Sequence, residues 1–217
     1  MIRAIQDDKI QGYKDYWSSI APKDDREYFM RWIFAFLSVH TTWSANVFAF
    51  NTLNADELWW NNSALLLEKL HSSKVGLYNR RLKGIEAFSK SFWEDPIAWK
   101  KLNEETWTEC RDRLAAKCHG IGLAKTAFAL ELCYPLSNES VCLDTHMLQL
   151  YGYSTEKEKA KGAKYNSYTE MERHWVEHCK AKNIPAYIGR ALFWDTRQQK
   201  DDSRYWSYVF ENKKNAT

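Results

Sequence analysis

Glycine and proline are scarce in this 217-residue chain, at eight and four. That scarcity argues against the turn-rich punctuation of an all-β sandwich, against collagen-like periodicity and against low-complexity sequence. No sign of charge dominates: 31 Lys and Arg against 28 Asp and Glu leave a net +3, far from the strongly basic balance that marks an overt nucleic-acid binder. Long apolar runs are missing too. The longest, Trp32 to Val39, is too short to cross a bilayer, and Met1 to Ile10 carries acidic residues where a signal peptide has its apolar stretch. These features predict an intracellular protein with no membrane association. Five cysteines, at 110, 118, 133, 142 and 179, are odd in number and show neither CxxC nor zinc-like spacing, so reduced, mostly buried thiols and no metal are expected.

What is present is apolar and aromatic. Hydrophobic residues make up 45% of the chain and aromatics 15%, with eleven tryptophans, which rules out disorder and is enough to bury one core or two small lobes that share one. Apolar residues fall on most faces between Tyr28 and Thr52, predicting a buried core helix. Further helices are predicted at Asp56–His71, Arg80–Trp93, Asn103–Cys118, Leu123–Tyr134, Thr145–Tyr151, Tyr168–Lys182 and Ile188–Arg197, with a loop at Ser154–Asn166. Strand-like alternation is nearly absent, and the fold class expected is all-α.

Two short segments carry chemistry. From Leu114 to Leu130, one helix pattern ends at Gly120-Ile121-Gly122 and another starts at once. Two glycines permit a tight reversal whose N–H groups approach an outside anion, and the new helix N-terminus adds partial positive charge. Lys117, His119, Lys125 and Thr126 lie where they would add charge or hydrogen bonds to a phosphate. The same sequence also suits a plain helical turn with a glycine cap. Twenty-two residues after Gly122, the apolar run Val141-Cys-Leu delivers Asp144 to the start of the next helix. Asp144 is either an ordinary N-cap or a fixed anion, and the two roles are compatible. An anion held by backbone amides is a poor strong base but stabilises developing positive charge, as in the oxocarbenium-like cleavage of a sugar–base bond.

Together with two upstream segments, this pair resembles the helix-hairpin-helix DNA glycosylases of the endonuclease III superfamily. Phe36-Leu-Ser-Val-His-Thr-Thr-Trp43 is similar to that family's Leu-Ser-x-Gln-x-Thr segment, and Val75-Gly-Leu-Tyr-Asn79 to its Gly-Leu-Tyr-Asn turn. The resemblance covers Tyr28 to Tyr151. It implies an all-α, two-lobed protein with double-stranded DNA in an interlobe cleft: a central lobe over residues 26–140 with the hairpin at about 105–134, and a second lobe from 1–25 plus 141–217. It implies that Asp144 is catalytic and that His40 and Leu77 fill the space left by a flipped base, which has to leave the stack to expose its glycosidic bond. Core packing for Leu77 and a satisfied polar group for His40 remain alternatives. Arg80 and Arg81 flank the Leu77 turn as phosphate contacts, or else form a solvated helix face.

The chain also departs from the family. Bifunctional members place a Schiff-base lysine two residues after the second hairpin glycine; here that residue is Ala124, and Lys125 sits one step on, roughly 100° around the helix. A monofunctional enzyme with water as nucleophile is expected. The iron–sulfur cysteine signature of many relatives is absent, so no cofactor is implied. The stretches Tyr187–Asp195 and Asp202–Trp206 look like the phage-related alpha-glutamyl/putrescinyl thymine pyrophosphorylase-like branch. That branch includes anti-phage glycosylases that remove glucosylated hydroxymethylcytosine from T-even phage DNA. The resemblance implies a monomer in the cytoplasm of a bacterial or phage-infected cell. Trp43, Tyr78, Asn79, Trp194, Asp195 and Arg197 are candidates for the base pocket, and equally for ordinary packing. Two alternatives stay open: a base-hypermodifying transferase acting on phosphorylated hydroxymethyluracil, and a DNA-binding module without chemistry.

Overall fold

The computed structural model describes residues 7–153, 165, 167–198 and 207–210, and among these the regular elements are helical. The expected loop at Ser154–Asn166 lies outside the described residues except for Tyr165, as does Asp202–Trp206. The helices are α1 Asp7–Ser19, α2 Asp25–Leu37, α3 Trp43–Asn54, α4 Ser63–Ser72, α5 Tyr78–Glu94, α6 Trp107–Lys117, α7 Leu123–Cys133, α8 Thr145–Leu150, α9 Tyr168–Lys180, α10 Ala186–Gln198 and α11 Ser207–Phe210. None is long and apolar enough to cross a membrane.

The single core helix expected over Tyr28–Thr52 is two helices. Asp24 caps the first by accepting from the Glu27 amide at 2.8 Å, and ten consecutive residues, Tyr28 to Leu37, are buried along α2. The chain then reverses through His40, whose φ of 47° is incompatible with a continuing helix, and restarts at the Thr42 cap of α3. Residues 56–62 are turns rather than the start of α4, because Asn62 caps that helix and the Trp59 indole donates to the Leu53 carbonyl at 2.7 Å. Thr106 and Glu109 form a reciprocal capping box that delays α6 to Trp107. Helix α1 was missed because its few buried side chains, Tyr13 and Trp17, leave most of its surface polar.

The described chain divides into two compact units. The first comprises residues 22–129, the second residues 7–21 with 130–210. The division falls inside α7, earlier than the break expected at residue 140. The first unit is built on aromatic packing: Phe29 stacks on Phe88 at 5.2 Å, and Trp32 packs on Phe88 and Trp99 at 5.4 Å each. In the second, α10 packs against both α9 and α1. Tyr187 on α10 meets Trp17 on α1 edge-on at 4.8 Å.

Candidate functional site

In the 22–129 unit, two turns expected to act together line one shallow pocket. Leu77, Arg80 and Arg81 come from the turn before α5, His119, Gly120 and Ile121 from the hairpin, and Phe36 and Val39 from the end of α2. Gly84 explains how they meet. A Cβ there would stand 2.6 Å from the His119 carbonyl oxygen, so only glycine lets α5 lie against the hairpin backbone. Gly120 has a φ of 91°, outside the region open to other residues. Gly122 is different: it has no positive φ, and an added Cβ there would meet nothing within 4 Å. The protein's own packing does not require glycine at 122, whereas an outside backbone that approaches closely would.

Leu77 stands at the head of α5 in a left-handed conformation, φ 48° and ψ 32°, with 44% of its surface exposed. A bulky residue held there is strained, and this one is spared the burial that usually accounts for such a side chain. His40 and Arg80 are exposed as well. Arg81 is not. Its guanidinium donates to the carbonyls of Val75 at 2.9 Å and Leu37 at 3.1 Å and to those of Gly76 and Val39, and burial lowers its pKa to about 10. The expectation that Arg81 grips phosphate is therefore corrected: it stitches the Leu77 turn to the His40 turn. Thr126 is fully buried and cannot reach DNA with its side chain. Lys117 is exposed but donates to the Ala98 carbonyl at 3.5 Å, and the Lys125 ammonium lies over the Phe128 ring at 5.4 Å.

In the other unit, Asp144 caps α8 as expected, and it is also gripped from elsewhere. Its Oδ1 accepts from the amides of His146 at 3.1 Å and Met147 at 3.2 Å. Its Oδ2 accepts from Arg190 Nη1 at 3.1 Å and Trp194 Nε1 at 2.8 Å. A carboxylate has about four acceptor positions, and four donors fill them. The side chain is 19% exposed, so it is held without being sealed.

Sequence reasoning names Trp194, as a base-pocket candidate, but neither Arg190 nor Glu131. Arg190, 2% exposed, forms a two-pronged pair with the fully buried Glu131 through Nε and Nη2, and its guanidinium lies 5.5 Å from the Tyr187 ring. Burial opposes the Arg190 charge, but Glu131, Cys142 and Asp144 outweigh it and raise its pKa, so the guanidinium stays charged. The segment leading to Asp144 is held by side chains in place of a sheet partner. The amides of Val141, Cys142 and Leu143 donate to Glu172, Glu131 and the Tyr168 hydroxyl at 2.8, 3.0 and 3.1 Å. The available signal was a lone charge inside an apolar helical run, as in Leu130-Glu131-Leu132 and Gly189-Arg190-Ala191-Leu192.

Three base-pocket candidates from α10 divide. Trp194 is half-buried, with its ring edge-on to His146 at 4.3 Å and its N–H committed to Asp144. Asp195 is corrected: at 5% exposure it accepts from the Tyr13 hydroxyl and lies 3.8 Å from Lys9, facing α1. Arg197 is exposed and reaches Gln149 at 3.3 Å. In the 22–129 unit, Trp43 is 40% exposed and packs on Phe34, Tyr78 lies against His71 at 4.0 Å, and Asn79 is exposed. Burial pushes the thiols of Cys110, Cys118 and Cys179 up to about 12, which removes these three as nucleophiles at neutral pH. Among the described residues no cluster of His, Cys, Asp and Glu has a metal-binding arrangement.

No protein-family model matches the sequence, and no curated protein matches it. Solved structures do. A crystal structure of the Methanocaldococcus jannaschii 8-oxoguanine DNA glycosylase is 18% identical, with 89% of this chain and 86% of that one covered and a TM-score of 0.66. An 8-oxoguanine glycosylase/lyase of the same organism, in complex with a 15mer DNA containing 8-oxoguanine, is also 18% identical, with 89% and 91% covered and a TM-score of 0.68. The chain has the helical fold of these glycosylases.

Proposed function

We propose that the chain is a DNA glycosylase that hydrolyses the bond between a modified base and its deoxyribose in double-stranded DNA. The observation that carries this reading is the Asp144 carboxylate, fixed by four donors and still partly exposed, in a fold shared with two solved glycosylases. A carboxylate whose acceptor positions all face donors is fixed in place, and a fixed anion is suited to stabilising developing positive charge. As the C1′–N bond breaks, its electron pair leaves with the base and positive charge gathers on C1′ and the ring oxygen. The fixed anion lowers that barrier. Water then bonds to C1′ and releases a proton, leaving an abasic site.

The hairpin at Gly120–Gly122 and the exposed Arg80 supply the sequence-independent grip on phosphate, with His119 beside them. Leu77 and His40, both exposed on strained turns, fill the gap left by the extruded nucleotide. Ala124 stands where a Schiff-base lysine is needed, so the enzyme releases the base without cutting the strand, unlike the neighbour named a glycosylase/lyase. The substrate that the last third of the chain favours is a hypermodified phage base such as glucosylated hydroxymethylcytosine, which would make its removal an anti-phage defence.

The test is incubation of the purified protein with unmodified, uracil-containing, 8-oxoguanine-containing and T-even phage DNA, with alkali-labile sites scored and released bases identified by mass spectrometry. Free base from phage DNA is the expected result. Release from 8-oxoguanine DNA alone would overturn the substrate, and no release from any would overturn the activity.

A further inference from the structure

We infer that Arg190 and Trp194, one helical turn apart on α10, are positioning residues that hold Asp144 as a fixed anion, with Glu131 and Tyr13 acting behind them. The inference rests on the glycosylase reading, but it concerns how the acid is set rather than what is cut. Both donors converge on Oδ2, the oxygen that the α8 amides leave unbound, so the carboxylate is held from two helices at once. Without α10, Asp144 would keep only its two amide donors on Oδ1, and its χ2 torsion, which is broad for aspartate, would be restrained from one helix alone.

Stability alone explains the arrangement poorly. Buried ion pairs such as Arg190–Glu131 are commonly replaceable by apolar residues of similar volume at no loss, because desolvation cancels most of their attraction. A pair retained at a site where its cation has a third donor on a partly exposed carboxylate points to service at that carboxylate. The register of α10 is set from a second face, about 100° round the helix from Trp194. Asp195, next to Trp194 in sequence, accepts from Tyr13 of α1 and faces Lys9 at 3.8 Å. Glu131 fixes the guanidinium plane in turn, so that Nη1 is left directed at Asp144.

The test uses the full chain and two duplexes that need no knowledge of the base. One carries a pyrrolidine ring, cationic at neutral pH, in place of a single deoxyribose; the other carries a neutral tetrahydrofuran ring. A fixed anion at the sugar favours the cationic ring, as a transition state is favoured over a ground state. The wild type is expected to prefer the pyrrolidine duplex, and Asp144→Asn to lose the preference. Trp194→Phe removes one donor to a charged group while keeping most of the ring, so the preference falls by about tenfold with tetrahydrofuran affinity and thermal midpoint unchanged. Tyr13→Phe, remote from the acid, reduces it in the same way and to a smaller extent. Arg190→Lys, which keeps the charge and loses the fork, lowers the preference as well. No preference in the wild type would overturn the glycosylase reading and this inference with it. A preference lost in Asp144→Asn but intact in Trp194→Phe and Tyr13→Phe would overturn the inference alone. So would a loss of pyrrolidine-duplex affinity in Trp194→Phe matched by an equal loss of tetrahydrofuran-duplex affinity, which leaves the preference intact and is the mark of a merely structural role.

Discussion

Replacing Gly122 by alanine separates what the hairpin does for folding from what it does for binding. The new methyl has nothing of the protein within 4 Å and the backbone there is not left-handed. The folded state therefore gains no strain, while the unfolded chain loses freedom. The stabilisation of about 0.4–1 kcal/mol from that lost freedom is offset by the poorer N-cap that alanine makes at the head of α7, where the Gly122 carbonyl accepts from the Thr126 amide, so the midpoint is expected to stay within about 2–4 °C of the wild type. On the proposed reading, the same methyl stands beside hairpin amides that take a phosphate, and it obstructs that approach. Losing that contact lowers duplex affinity by about tenfold and leaves the salt slope nearly unchanged, because an amide carries no net charge with which to release a counterion. Gly120→Ala, by contrast, destabilises the fold. Its φ of 91° costs an L-residue about 1–2 kcal/mol, although its Cβ would meet Arg80 only at an ordinary 3.7 Å. The assays are thermal unfolding and fluorescence anisotropy with a labelled duplex across a salt series. A Gly122→Ala protein that binds DNA as the wild type does at every salt concentration would refute the assignment of the hairpin to phosphate.

Other outcomes follow from the same structure. Arg80→Glu is expected to lower duplex affinity and its salt slope at unchanged stability, whereas Arg81→Glu, which breaks four carbonyl contacts, is expected to unfold the protein; equal stability for both would contradict the burial of Arg81. Glu105 is held by Arg113 at 2.6 Å and by the Leu102 amide, which lower its pKa from the ordinary 4.5 to about 2. Its contribution to stability is complete above pH 4.5 and lost as pH falls through 2, so Glu105→Gln should flatten that limb of the midpoint-against-pH curve. Borohydride added during turnover should leave no covalent DNA adduct, because Ala124 replaces the amine and Lys125 is directed at Phe128. An adduct lost in Lys125→Ala would make that lysine the nucleophile.

Sequence periodicity locates most of the helices because α5 and α9 carry one buried stripe each while α2 is buried on every face, and it places the Asp144 cap because an apolar run ends at a capping residue. It failed where one residue's backbone angle or orientation decides the matter. His40 breaks what reads as one long apolar helix, and only its positive φ reveals the break. Arg81 and Arg80 are neighbours of the same chemistry, yet one points into the α5 turn and the other to solvent. Composition cannot tell such a pair apart, since facing is set by helix phase to within a single residue. The ion pair behind Asp144 is illegible for another reason: Arg190, which donates to Asp144, and Glu131, which holds Arg190, are 59 positions apart in sequence, and each alone looks like a stray charge in a hydrophobic run.

The most direct measurement is single-turnover base release by the wild type and Asp144→Asn from the DNA substrate that the wild type cleaves, alongside duplex affinity for both. The account predicts that Asp144→Asn binds DNA as the wild type does and releases base about 10²–10³ times more slowly, the usual loss when a charge-stabilising group is neutralised. An Asp144→Asn protein that releases base at the wild-type rate would contradict it.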